Sequence, residues 1–182
     1  MAQIGIVGDG PGGLSAAVFL AKGGHDVTVY ATDQTAMHFA HLRNYLGLPE
    51  IAGSEFQHIA RSQARDHGAV IRDEEAHSVA PEQGGFTVAS DSGAAAYDYL
   101  ILTEGKNPEL ARSLGLAETE DGIAVDREYR TSLDRVYVVG RAARRKRSQA
   151  IISAGAGATA AVDILSREAG RDVQDWDTPP KE

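Results

Sequence analysis

Cysteine is absent from this chain, which excludes disulfide relays, thiolate nucleophiles and Cys-ligated metal centres. Long apolar runs are absent too: no stretch reaches membrane-spanning length, and no basic segment precedes the first apolar residues. The expectation is a soluble cytoplasmic protein without membrane contact or signal peptide. Positive charge is in deficit. With 18 Lys and Arg against 26 Asp and Glu, the net charge is −8, which argues against general nucleic-acid binding. A length of 182 residues suits one domain with a substantial core and leaves little room for a second.

Glycine is plentiful, and its placement at the start is specific. Gln3-Ile4-Gly5-Ile6-Val7 reads as a short apolar strand that runs into Gly8-Asp9-Gly10-Pro11-Gly12-Gly13 and then an Ala-rich helix. This is G-x-G-x-x-G in the context that nucleotide-binding βαβ units require. Gly8 permits the tight turn, Gly10 lets backbone approach a pyrophosphate, and Gly13 lets helix and strand pack closely. Asp26 to Ala31 supplies the second strand at the right distance.

Further along, residues 32–49 are irregular, and a loop of that length in a small domain points to function. Ser54 is expected to cap a helix through about His67, with Phe56, Ile59, Ala60 and Ala64 as its apolar face. Residues 72–96 read as a small antiparallel meander, and Tyr97 to Leu102 as a buried parallel strand. Pro108 to Leu114 is a short helix, Arg135 to Gly140 a last buried strand, and Gln149 to Glu168 a last helix. One domain over residues 1–170 is expected, with a loosely ordered tail over 171–182.

In this order the segments resemble the FAD-binding domain of thioredoxin reductase-like flavoproteins. Gly8 to Leu14 is similar to that family's G-x-G-P-A-G-L, and Asn44-Tyr45-Leu46-Gly47-Leu48-Pro49 to its N-Y-P-G-F-P. Gly53-Ser54-Glu55-Phe56, followed by Gln63 to Ala69, resembles G-x-E-L and Q-A-x-x-F-G-A. Thr103-Glu104-Gly105 stands where A-T-G is usual. Thr131-Ser132 through Gly140-Arg141 resembles T-S-x-x-G-V-x-A-x-G-D, and Gln149 to Ala158 resembles Q-A-x-x-A-A-G-x-G.

The resemblance implies an α/β, Rossmann-like FAD-binding domain: a parallel sheet, flanking helices and the small antiparallel meander. It also implies two absences. The family's second, NADPH-binding domain would lie between Gly105 and Thr131, where only about 25 residues stand, and the Cys-x-x-Cys it carries is missing. Disulfide reduction is therefore excluded. The implied function is a minimal FAD-dependent oxidoreductase fed by a diffusing nicotinamide or an acidic carrier protein. Two alternatives remain open at this stage, a non-catalytic sensor or scaffold for FAD or a related dinucleotide, and a cofactor-free subunit. A homodimer is implied by resemblance alone.

The implied cofactor contacts are Gly8, Gly10, Pro11, Gly12, Gly13, Asp33, His41, Asn44, Gly105, Gly140, Arg141, Gln149 and Ala150. Several carry open alternatives. The ribose-binding acid of the fold falls at Ala31, which has no acceptor; Asp33 is either its displaced replacement, on the same face if the strand continues, or an ordinary turn residue. The family's G-D aspartate is Arg141, either a phosphate contact or a lost ligand pointing into solvent. Arg141 to Arg147 forms a basic island that reads as a solvated loop, an anion funnel or a docking patch. His38 and His41, expected to lack acidic partners, make a poor metal site, and no catalytic residue is identified.

Overall fold

The computed structural model describes residues 1–174; the tail expected over 171–182 lies, from residue 175 on, outside the described residues. The chain begins β1 (Gln3–Val7), α1 (Pro11–Lys22) and β2 (Asp26–Tyr30). A 3-10 turn (Ala36–Phe39) leads to the short strands β3 (His41–Leu42) and β4 (Ile51–Ala52), then α2 (Gly53–Asp66) and β5 (Val70–Arg72). The meander is β6 (Ala76–Glu82), β7 (Gly85–Ser90) and β8 (Gly93–Tyr97), followed by β9 (Tyr99–Leu102) and α3 (Glu109–Ser113). A hairpin of β10 (Glu118–Thr119) and β11 (Gly122–Ile123) precedes β12 (Val136–Val138), a 3-10 turn (Gly140–Ala142) and α4 (Ala150–Ala169).

Five strands form a parallel sheet in the order β12-β9-β1-β2-β5. Alternation along each strand sends side chains to two separate cores. On one face Ile4, Ile6, Val29, Ile101 and Val139 meet α1, α4 and Ala64 of α2. On the other, Val7, Leu100, Leu102 and Val138 meet Val79, Phe86 and Val88 of the meander. The sheet is thus sandwiched between helices and a small antiparallel layer, as expected. No helix among the described residues is long and apolar enough to cross a membrane.

Helices α1 and α4 touch because both lack bulk where they cross. A Cβ on Gly157 would run into the carbonyl oxygen of Gly12. A Cβ on Gly13 would run into that of Gly8, which is the close helix-to-strand approach expected of the third glycine of the motif.

Three local expectations change. The strand expected over 97–102 is two elements pivoting at Asp98: its N–H donates to the Gln3 carbonyl, and its carboxylate accepts from the Gln3 N–H at 2.7 Å. Ser54 does not cap α2. The helix starts at Gly53, whose N–H donates to the Ala40 carbonyl at 2.9 Å, so backbone of the preceding turn replaces a side-chain cap. The inward face of α2 is not the apolar stripe expected. Gln57 and Arg61 are buried beside Ala64, while Ile59 is 44% exposed.

Candidate functional site

The strand order reverses between β1 and β9, and ligands of open α/β sheets bind outside the carboxyl ends of strands at such a point. Here β1 is followed by Gly8, whose φ of +100° only glycine adopts readily and whose N–H donates to the Tyr30 carbonyl. Gly10 caps α1 in extended conformation with no side-chain hydrogen bond, and Pro11 occupies the first turn. A Cβ added to Gly10 would meet nothing within 4 Å, so the backbone there faces open space. The first intrahelical bond runs from the Leu14 N–H to the Gly10 carbonyl, leaving the N–H groups of Gly12 and Gly13 at the open helix end. Such an end attracts an anion.

Helix α4 brings a second open end to the same place. A Cβ on Gly12 would lie 3.1 Å from the Ser153 carbonyl oxygen, in the first turn of α4. Gln149 caps that helix without a side-chain bond, and its carbonyl accepts from the Ser153 N–H. The N–H groups of Ala150, Ile151 and Ile152 therefore end the helix unpaired by it. Across from them, the Asn44 amide donates to the Gln149 side-chain oxygen at 3.2 Å, tying the 32–50 loop to α4. Gly140, with φ +68°, starts the turn between β12 and α4.

Arg141 is exposed, but it is not loose: its Nε donates to the Ser148 hydroxyl at 2.9 Å across the basic island. Ala31 is fully buried. Because β2 stops at Tyr30, Asp33 does not continue its alternation; it sits at φ +54° and contacts the His38 Nε2 at 3.0 Å. The histidines expected to lack acidic partners both have one, since the His41 Nε2 lies 2.7 Å from a Glu50 oxygen. Gly105 turns at φ +77°. Its neighbour Glu104 faces away, accepting the N–H groups of Leu110 and Ala111 at the start of α3. Burial pushes that carboxyl up against the opposing effect of the two N–H donors.

Sequence reasoning missed the charged cluster beneath the glycine loop. Asp9, the variable residue of the motif, is 2% exposed and pairs with Arg61. Gln57 donates to the Asp9 carbonyl at 2.6 Å and to its carboxylate at 3.3 Å. The same Arg61 guanidinium also pairs with Asp73 and lies 3.8 Å from Asp33. Burial pushes the Asp9 carboxyl up, and Arg61 opposes it. The signal was present: an acid inside an anion-binding loop needs a cation beneath it, and Gln57 and Arg61 lie four apart on one helix face.

The residues fit the middle of a dinucleotide. Open backbone at Gly10 and free donors on α1 suit a pyrophosphate, and Arg61 removes the Asp9 charge that would repel it. The adenosine end fits less fully, since Ala31 has no acceptor and the Asp33 carboxylate is already held by His38 at 3.0 Å. Among the described residues no three His, Cys, Asp or Glu side chains gather as a metal site.

No family profile matches the sequence, and no curated protein is similar to it. Solved structures do match. A thioredoxin reductase from Gloeobacter violaceus superposes with a TM-score of 0.87 at 17% identity, over 97% of this chain and 99% of that one. The atypical thioredoxin reductase TRi from Desulfovibrio vulgaris Hildenborough gives 0.82 at 18% identity, over 92% and 99%. A ferredoxin-flavin thioredoxin reductase from Clostridium acetobutylicum gives 0.77 at 14%, over 93% and 99%. The chain has the thioredoxin reductase-like fold; at these identities the likeness is one of fold.

Proposed function

We propose that the chain is a minimal FAD-binding redox protein that performs no disulfide chemistry. The observation that carries this reading is the meeting of two open helix ends, α1 at Gly12 and α4 at Ser153, at the switch point of the sheet. The Gly8 to Gly13 loop would hold the pyrophosphate, Asp33 the ribose, and Asn44, Gly140, Gln149 and Ala150 the flavin half. His41, Gly105 and Arg141 would border it. FAD supplies reversible acceptance of electrons. The protein's part is to position the ring and, through the α4 dipole, to favour negative charge on its reduced form.

Between Gly105 and Thr131 stand only α3 and the β10–β11 hairpin, which supports a domain working without a second nucleotide module. Electrons would then come from a diffusing nicotinamide or an acidic carrier. Leu46, Leu48, Ile151 and Ile152 are all exposed around the Asn44–Gln149 contact, which supports a homodimer closing over this region. The buried Ala31 and the Arg141 substitution favour one second reading, a nucleotide sensor without turnover.

The visible spectrum of the purified protein tests the proposal. A yellow protein, or one that turns yellow with added FAD and keeps the colour through gel filtration, is expected. A protein that stays colourless sinks the reading. Bleaching of the bound flavin by NADH or NADPH without oxygen would identify a direct oxidoreductase; no bleaching leaves the carrier-fed enzyme and the sensor.

A further inference from the structure

A cavity of about 430 Å³ lies outside the glycine loop, between the β10–β11 hairpin, residues 123–129 and the basic island at 143–147. Its volume falls within the range of small-molecule sites. Its lining divides by chemistry. Ile123 and Ala143 are buried apolar side chains, and the half-buried Tyr129 adds an aromatic one. Around them stand Arg127, Arg144, Lys146 and Arg147.

Arg127 pairs with Glu128 at 3.0 Å, but the other three cations are not used up by the protein. Arg144 and Arg147 have no side-chain hydrogen bond or ion pair among the described residues, and Lys146 has only a 3.9 Å contact with the exposed Glu120. Two acids also line the space. Asp126 is already committed, accepting the N–H groups of Glu128 and Arg130 at 2.9 Å, and the exposed Asp121 leaves the lining with two acids against four cations. The walls are fixed to one another. The Arg145 N–H donates to the Asp121 carbonyl, and a Cβ on Gly122 would run into the Ala142 carbonyl oxygen. In a chain of net charge −8, a walled cavity with unspent guanidinium groups selects for anions.

We propose that this cavity is a second ligand site, independent of the glycine loop, that takes a nucleoside phosphate. The multiply charged phosphates pair with Arg144, Arg147 and Lys146, and the planar base lies against Tyr129 and the aliphatic floor. A monocarboxylate would leave most of the cationic charge unmatched, and inorganic phosphate would leave the apolar floor wet.

Equilibrium dialysis with labelled ADP tests this on the wild type, on Arg144→Glu/Arg147→Glu, and on Gly10→Val, which fills the open space over the glycine loop. Freed of FAD, the wild type is expected to bind two ADP per chain, with each variant losing one; with FAD filling the glycine loop it is expected to bind one, lost in the charge-reversed variant. The charge-reversed variant should weaken its site about tenfold or more, as loss of two charge-assisted phosphate contacts requires. A single ADP lost only in Arg144→Glu/Arg147→Glu supports the cavity, and where it is seen in protein freed of FAD it counts against the glycine-loop reading. A single ADP lost only in Gly10→Val overturns the proposal, as does an undiminished stoichiometry in the charge-reversed variant. Competition by tripolyphosphate as strong as by ADP removes the role of the base and overturns it too. Salt-sensitive capture of an acidic carrier protein, lost in the charge-reversed variant while ADP binding is unchanged, would reassign the patch to protein docking.

Discussion

The Asn44 amide donates to the Gln149 side chain at 3.2 Å, joining residues 105 apart in sequence across the mouth of the candidate site. Both residues are exposed, so the bond does little for global stability, and its effect should fall on the loop. Asn44→Ala is expected to weaken FAD binding about fivefold, the worth of one hydrogen bond, with the unfolding midpoint almost unmoved. Trypsin should also cut faster after Arg43. Unchanged affinity in a fluorescence titration, with unchanged cleavage, would show that the loop is held by other contacts.

Two glycines of one motif should respond in opposite ways. Gly13→Ala pushes a methyl group into the Gly8 carbonyl and should cost about 1–3 kcal/mol of stability, as overpacking does. Gly10→Ala meets nothing within 4 Å, so the free protein should stay within about 1 kcal/mol of wild type. Its added methyl group stands where the backbone must approach a pyrophosphate, so FAD affinity should collapse. Urea unfolding and FAD titration of both variants separate the effects. A Gly10→Ala protein that binds FAD normally would mean that the pyrophosphate does not lie over Gly10.

The parallel sheet and both helices at the switch point were legible because strands buried on both faces carry unbroken apolar runs, and the glycine motif has positional meaning. Gln149 and Asn44 came from resemblance; their contact spans too much sequence for any local pattern to show it. The α2 interior was misread because periodicity assigns inward positions to apolar residues. Here Gln57 and Arg61 turn inward to serve Asp9, a demand set by a loop 48 and 52 residues away. The cap at Ser54 failed for a similar reason, since backbone at Ala40 already satisfied the helix end. The β10–β11 hairpin has two-residue strands, too short for alternation to register.

Arg61 is needed because Asp9 cannot reach water. Arg61→Met would leave a carboxylate 2% exposed without its cation, a loss of about 3–5 kcal/mol for a broken buried pair. With the cation gone, burial dominates Asp9 and raises its carboxyl further. An acid whose folded pKa is raised costs no stability below its unfolded pKa, and the penalty grows as pH rises from there through the folded pKa. The variant should therefore be weakest at high pH and recover on acidification, and Asp9→Asn in the same chain should restore part of the loss at neutral pH. Urea curves across pH measure both. Equal destabilisation at every pH would show that Arg61 acts through packing alone.

Asp163 should contribute to the acid limit of the fold. It is 9% exposed on α4, accepting the Tyr137 hydroxyl at 2.6 Å and the Arg130 Nε at 2.7 Å beneath the sheet. Burial pushes its carboxyl up, but hydrogen bonds from Arg130 and Tyr137 outweigh that and hold it below the ordinary 3.8. A carboxyl with a depressed folded pKa contributes stability that is fully present above its unfolded pKa and is lost as pH falls through the folded one. Wild-type stability should therefore decline below about pH 4, with Asp163 one contributor to the slope. Asp163→Asn keeps the shape but removes the titration: it should be less stable than wild type at neutral pH, and the gap should narrow steadily as pH drops. Urea midpoints of the two proteins between neutral and acid pH decide the matter, and a gap that stays constant would place the acid sensitivity elsewhere.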